Sequence, residues 1–250
     1  ASAPPVPSNF AHMRIDGDIS DWTAVPVIAT DASADGIPDI ASVKVANDED
    51  YLYVLVGYHG AADVNNFNGA PSTFLSLDND ANTATCFNIY GLGQISAEIS
   101  WQNEFPFAQS ASVFNLGATF TNGAAGISPY STNTTWQEYR IRRDATYNTG
   151  GPDAAVFPNN LIRLALWSDH GSSAEFAGGF NYQFAANPGT DDFDEWKLSN
   201  FTAPELANTA LSGSGADPDG DSVSNLLEFA FGGDPWAADV SVLPEFEVKT

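Results

Sequence analysis

The chain is short of basic residues: eight Lys and Arg stand against 32 Asp and Glu in 250 residues, a formal charge of −24. Charged residues total 16%, below the roughly 25% of an ordinary soluble domain. The imbalance therefore comes from missing base more than from added acid, with lysine only at Lys44, Lys197 and Lys249. Such a surface repels phosphate backbones, which excludes a nucleic-acid partner, and it disfavours anionic lipid in the same way. Cations are its natural small partners. Cysteine is almost missing as well, and Cys86 alone builds neither a disulfide framework nor a thiolate zinc cluster. Three dispersed histidines, His12, His59 and His170, offer little to a transition metal. Tyr51 to Val56 is the longest strongly apolar run and is far too short to span a bilayer, so no membrane insertion is expected. There is no Gly-x-Ser-x-Gly elbow, no phosphate-binding glycine loop and no His-Glu-x-x-His. No motif singles out a pair of carboxylates for glycoside hydrolysis. A non-enzyme is expected.

What is present is enough to build a core: apolar residues make up 43%, with six Trp, eight Tyr and 17 Phe, so the chain is no disordered acidic tail. The opening Ala1-Ser2-Ala3-Pro4-Pro5-Val6-Pro7 looks like the remnant of cleavage after small residues. With so little Lys, Cys and Met, this suggests a secreted, extracellular protein.

Four segments are expected. Residues 1–13 form an extended Pro-rich arm. Residues 14–203 read as many short strands separated by Gly, Asn, Asp and Pro clusters, which predicts a mainly β fold, a β-sandwich of jelly-roll type. Val43 and Val45 alternate with polar neighbours, and Tyr51 to Val56 follow after Asn47-Asp48-Glu49-Asp50, as in a hairpin. Further strands are expected at 74–77, 87–90, 95–101, 136–141, 161–167 and 180–184, with no helix of respectable length before residue 203. Residues 204–238 hold a Ser-Gly linker and one helix over Asn225 to Phe231, stopped by Gly232-Gly233. Residues 239–250 return to strand character, as the start of a further module or as a strand donated to a neighbour.

The sharpest chemical signal lies in that third segment. Asp217, Asp219, Asp221, Val223, Asn225 and Glu228 occupy positions 1, 3, 5, 7, 9 and 12 of an EF-hand loop. Alternating carboxylates on a curling loop converge on one ion, and an all-oxygen set of this size suits Ca2+ better than zinc. Ser222 departs from the pattern, since position 6 is expected to be Gly. The competing reading is an acidic, solvated helix cap. A second candidate is Asp78-x-Asp80-x-Asn82 after the strand at 74–77; it lacks a local acidic closer, which Glu98 would supply only if the fold brings it near. An Asx-rich turn accounts for it equally well.

The stretch from Asp217 to Pro235 resembles the thrombospondin type 3-like calcium repeats of large secreted bacterial proteins, which implies a calcium-ordered connector and no activity. Ile15-Asp16-Gly17-Asp18-Ile19-Ser20-Asp21-Trp22 is similar to the opening signature of family nine carbohydrate-binding modules and their DOMON-like relatives. Val43 to Asp48 with Tyr51 to Val54 matches their second block, and the Asp-rich loop 78–82 falls where such proteins often carry one. The resemblance implies a β-sandwich that binds sugars or, in some relatives, haem. Haem is the poorer option, because only Met13 and the dispersed histidines offer ligands.

Sugar binding needs open aromatic faces rimmed by amides and carboxylates. Trp101, Gln102 and Asn103 supply that chemistry in one stretch, and Trp136 with Glu138 supply it in another; core packing is the competing reading for each tryptophan. Arg140 and Arg142 share a strand face and suit a uronate or sulfate, or else pair with the acidic surface. The expectation is a secreted, non-catalytic, calcium-stabilised carbohydrate-binding module whose partner is a polysaccharide. The rival is a structural subunit that joins identical copies into a filament or surface layer by strand addition and calcium.

Overall fold

The computed structural model describes residues 5–32, 38–64, 73–130, 133–168, 176–187 and 192–238. The chain divides into two compact units, Ala1–Asn187 and Pro188–Thr250. The division thus falls before the change in composition at residue 203 that the sequence suggested.

The first unit is mainly β, as expected. Its strands are β1 (Val27–Thr30), β2 (Ile40–Asn47), β3 (Tyr51–Ala62), β4 (Thr73–Asp78), β5 (Phe87–Asn88), β6 (Ser96–Ala97), β7 (Ile99–Gln102) and β8 (Phe105–Ala108). They continue with β9 (Thr119–Thr121), β10 (Gly126–Ser128), β11 (Thr134–Arg142), β12 (Thr146–Asn148), β13 (Ala154–Ala155), β14 (Leu161–Ser168) and β15 (Phe176–Gln183). Two five-stranded antiparallel sheets face each other: β1-β2-β3-β11-β10 and β15-β14-β4-β7-β8. The register pairs Val43 with Val56 and Tyr139 with Val54 in the first sheet, and Leu75 with both Leu166 and Trp101 in the second.

Alternation decides which residues meet between the sheets. Val43, Val45, Leu52, Val54, Val56, Tyr139 and Ile141 from the first sheet pack against Leu75, Leu77, Ile99, Trp101, Leu164 and Leu166 from the second. The unbroken apolar run at Tyr51 to Val56 has a simple cause: both faces of β3 are covered. Tyr53 and Leu55 point outward into a second cluster with Met13, Trp22 and Val25, supplied by the N-terminal segment. The described part of the Pro-rich arm is docked there, with Asn47 N–H bonded to Asn9 O and Ala11 N–H to Asn47 O, both at 2.9 Å. On the opposite side, Phe74, Ala165 and Trp167 pack outward against Ile89, Ile95 and Ala97. The expected strand 95–101 is accordingly broken at Glu98, since β6 pairs with β5 while β7 joins the main sheet.

The second unit is helical. It contains α1 (Asp192–Asn200), α2 (Ala203–Leu206), α3 (Thr209–Ser212) and α4 (Asn225–Phe231). The helix expected over 225–231 is present, and Gly232 closes it in the left-handed conformation with φ 78°. The expectation of no substantial helix before residue 203 is corrected by α1, whose apolar side is an aromatic pair: Phe193 and Trp196 stack at 5.5 Å. No helix among the described residues is long and apolar enough to cross a membrane. The terminal strand expected at 239–250 lies outside the described residues.

Candidate metal centres and binding groove

The loop after β4 and the residue between β6 and β7 converge. Carboxylate oxygens of Asp78, Asp80 and Glu98 lie within 4.8 Å of one another. The acidic closer that the local sequence lacks is therefore Glu98, brought back by the excursion through β5 and β6. Main-chain N–H groups hold the cluster in shape: Asn82 donates to Asp78 Oδ1 at 3.0 Å and to Asp80 Oδ1 at 2.9 Å, and Asn79 donates to Glu98 Oε2 at 2.9 Å. Burial drives the Asp78 carboxyl up from 3.8 to about 6, against the Asn82 N–H and with the help of Asp80. Burial likewise lifts Glu98 from 4.5 to about 7, with the Asp78 and Asp80 charges adding to it. Three crowded, partly desolvated carboxylates repel one another until a cation joins them. An all-oxygen set of this kind fits a hard cation such as Ca2+. Asn82 contributes its N–H to this loop, while its side-chain Oδ1 accepts from Ala84 N–H at 3.2 Å.

The second acidic loop has the same logic within one turn of chain. Asp217, Asp219 and Asp221 also bring carboxylate oxygens within 4.8 Å. Asp217 accepts from Gly220 and Ser222 N–H, both at 2.9 Å, and Asp221 accepts from Val223 N–H at 2.7 Å. Ser222, the departure from the EF-hand pattern, takes the left-handed conformation with φ 76°, which the glycine expected at that position would adopt without strain. Val223, Asn225 and Glu228 are fully buried around the start of α4. The Asn225 amide donates to Leu211 O at 2.7 Å and Gly213 O at 2.9 Å, while its Oδ1 accepts no hydrogen bond. Asp219 Oδ2 is likewise buried with no hydrogen-bond donor. Loss of hydration, together with Asp217 and Asp221, raises the Asp219 carboxyl above its ordinary range. Orphaned buried oxygens in a set of carboxylates and one amide are what a bound hard cation satisfies.

The aromatic candidates separate. Trp101 is fully buried between the sheets and donates its indole N–H to Gly123 O at 2.7 Å, so no face is left for a sugar. Asn103 is buried beside it in a left-handed turn (φ 51°), and Gln102 is half-buried at the end of β7. Trp101 and Asn103 are corrected from platform to core. Glu138 is corrected too, from groove rim to interior anchor. Fully buried on β11, it accepts from Trp22 Nε1 at 2.9 Å and from Gly17 N–H at 2.8 Å. Gly17 sits at φ +89°, which explains the glycine in the Asp-Gly-Asp opening: the turn must reverse to aim its N–H at Glu138.

Trp136 keeps an open side. It lines a groove of about 790 Å³ on the outer face of the first sheet, with Asp18, Ser20, Ser42, Lys44 and Thr135. Two local features place it there. β11 bulges against β3 between Thr134 and Trp136, which re-aims the tryptophan. Its partner across the bulge is Gly57, where a Cβ would come within 2.6 Å of Ser42 Oγ, so no side chain stands opposite Trp136 at that position. Lys44 Nζ is fixed by Trp22 O at 2.8 Å. One aromatic ring beside hydroxyls, an ammonium and a carboxylate is the equipment of a neutral-sugar site. Composition pointed to Trp136; Ser42, Lys44 and Gly57 carried no sequence signal, because only the register of β2 against β3 brings them beside it.

Arg140 and Arg142 do share one face, and both guanidinium groups lie over the Tyr51 ring, at 5.3 and 5.7 Å. Arg142 is taken up by Asp144 through two hydrogen bonds of 2.8 and 2.7 Å. Neither arginine lines the groove.

No protein-family model matches the chain, and no curated protein matches it in sequence. Among solved structures, the chain is similar to a family 9 carbohydrate-binding module from Caldicellulosiruptor kristjanssonii in complex with cellotriose. That likeness has TM-score 0.42 and 13% identity, over 74% of this chain and 97% of that one. It is also similar to such a module from the same organism in complex with glucose, with TM-score 0.41 and 14% identity over 73% and 96% of the two chains.

Proposed function

We propose that this chain is a secreted, non-catalytic carbohydrate-binding β-sandwich stabilised by calcium. The observation that carries the reading is the groove at Trp136: a half-buried tryptophan with one side on the groove and a polar rim, on a sheet face. The scarcity of Lys and Cys supports secretion. Calcium enters through the two acidic clusters, whose crowded carboxylates and orphaned oxygens match its donor preference. Asp78, Asp80 and Glu98 would hold one ion. Asp217, Asp219 and Asp221, with Val223, Asn225 and Glu228 of the same loop, would hold another. An ion at the first place would join Glu98 to the loop after β4, an ion at the second would order one loop, and neither would take part in bond making. The raised Glu98 carboxyl would also suit a general acid, but neither Asp78 nor Glu98 lines the Trp136 groove.

The test is affinity electrophoresis of the full chain through gels containing cellulose derivatives, xylan, mannan, β-glucan or pectin, with calcium present. Retardation in at least one neutral polysaccharide is expected, and equal mobility in every gel and the blank would refute the reading.

A further inference from the structure

The outer face of the second sheet carries an arrangement that neither metal cluster nor the Trp136 groove uses. Phe74 and Trp167, from neighbouring strands β4 and β14, stack at 4.0 Å with their planes 7° apart. The excursion after β5 and the loop holding Phe114 close around this pair. Tyr90 meets Trp167 edge-on at 5.3 Å, and Phe114 meets Phe87 at 5.3 Å and Trp167 at 6.1 Å. Beside the buried Phe74–Trp167 pair (2% and 4% exposed) lies a cleft of about 430 Å³ whose open walls are Phe87, Tyr90 and Phe114, with Asn88 at its rim.

Three features separate this cleft from ordinary packing. First, Tyr90 holds a left-handed backbone (φ 52°, ψ 10°), which a side chain with a β-carbon disfavours, while its hydroxyl is tied to Ser168 O at 2.7 Å. Strain kept at an aromatic wall of an open cleft marks a held geometry. Second, Phe114 remains 38% exposed although four aromatic rings lie within reach of it. Third, none of the described residues that line the cleft is charged, on a chain with 32 acidic residues. An ionic ligand finds no partner among them, whereas a neutral one meets these walls without desolvating a charge. Asn88 Oδ1 is fixed by Gly93 N–H at 2.8 Å, which leaves its NH2 group to donate at the rim. Flat aromatic walls with an amide donor at the edge suit a ring that has apolar C–H faces and hydroxyls around its perimeter.

We propose that this cleft is a second glycan subsite, taking one neutral pyranose on the face of the sandwich opposite the Trp136 groove. The proposal rests on the carbohydrate-binding reading and extends it to two sites. Sites on opposite faces let one sandwich hold two polymer chains, and they raise retention on an insoluble polysaccharide through effective concentration.

The experiment uses the full chain with 15N-labelled tryptophan indoles, titrated in turn with cellohexaose, xylohexaose, mannohexaose and laminarihexaose. Trp136→Ala and Phe114→Ala assign the signals to sites. The expected result is that one hexasaccharide shifts the Trp167 indole resonance as well as that of Trp136. The Trp167 shift should persist in Trp136→Ala and weaken about tenfold or more in affinity in Phe114→Ala. Unchanged Trp22 and Trp101 signals report that Phe114→Ala is folded; if it is not, the wild-type Trp167 shift decides alone. A shift at Trp136 with none at Trp167 overturns the cleft and leaves the general reading standing. A shift at Trp167 alone upholds the cleft and overturns the Trp136 assignment. No shift at either with any hexasaccharide overturns both.

Discussion

Glu138 shows how one buried residue organises a long stretch of chain. Its two carboxylate oxygens each take one N–H from the N-terminal loop, one from Gly17 and one from the Trp22 indole, 121 and 116 residues away in sequence. Burial raises this carboxyl above its ordinary range, and the two donors oppose that rise. Glu138→Gln presents an NH2 to one of those N–H groups, leaving a buried donor without an acceptor. A loss of about 1–3 kcal/mol is expected in chemical denaturation, and an unchanged midpoint would show that the anchor carries no energy. Ser222 offers the opposite case. Its left-handed backbone is strained for serine, so Ser222→Gly should raise the stability of the calcium-free chain by about 1 kcal/mol in chemical denaturation. A lowered midpoint would mean that the serine side chain contributes to the fold of the loop. The departure at Ser222 was legible in the loop spacing, whereas the role of Glu138 was not. The Asp-Gly-Asp opening signalled a turn, but its target on β11 depends on tertiary pairing.

At the scale of elements, patterning was legible wherever one face of a strand meets water or both faces are covered. β2 shows alternation because Ser42 and Lys44 face the groove while Val43 and Val45 face the core. β4 shows a continuous run because Phe74 and Leu75 enter clusters on opposite sides of the sheet. The helix α1 carries a weak sequence signal because its aromatic pair, Phe193 and Trp196, stands among acidic and polar residues over only nine positions. Trp101 was open to two readings because a buried indole and an exposed one differ only in the partner, here Gly123 O. Glu98 joins Asp78 and Asp80 only because the excursion between β4 and β7 closes on itself, a spacing that no short motif encodes. That closure has a pH signature. Without calcium, Asp78 and Glu98 hold protons to about 6 and about 7, above their ordinary 3.8 and 4.5. The folded state then binds more protons than the unfolded state across this interval, so stability falls as pH rises from about 4 to about 7. Growing repulsion among the remaining acids works in the same direction. Saturating calcium should abolish most of that fall in a series of thermal melts, and Glu98→Gln should reduce both the fall and the calcium response. A calcium-free melting temperature that climbs over the same interval would contradict this account of the cluster.

For the whole molecule, the acidic surface and the sandwich serve one purpose in this account. A charge of −24 opposes approach to phosphate-rich surfaces, while the first sheet supplies the face on which half-buried Trp136 lines the groove. The sequence carried the compositional exclusions and the β class. It did not carry the division at Asn187–Pro188, because α1 continues the polar, aromatic-bearing composition of the chain before it. The central claim concerns the groove, and calorimetric titration of wild type and Trp136→Ala against a soluble fragment of the polysaccharide that retards the chain tests it most directly. The account predicts saturable wild-type binding that weakens about tenfold or more in Trp136→Ala, measured below the variant's melting temperature. Equal affinity in the two proteins would contradict it.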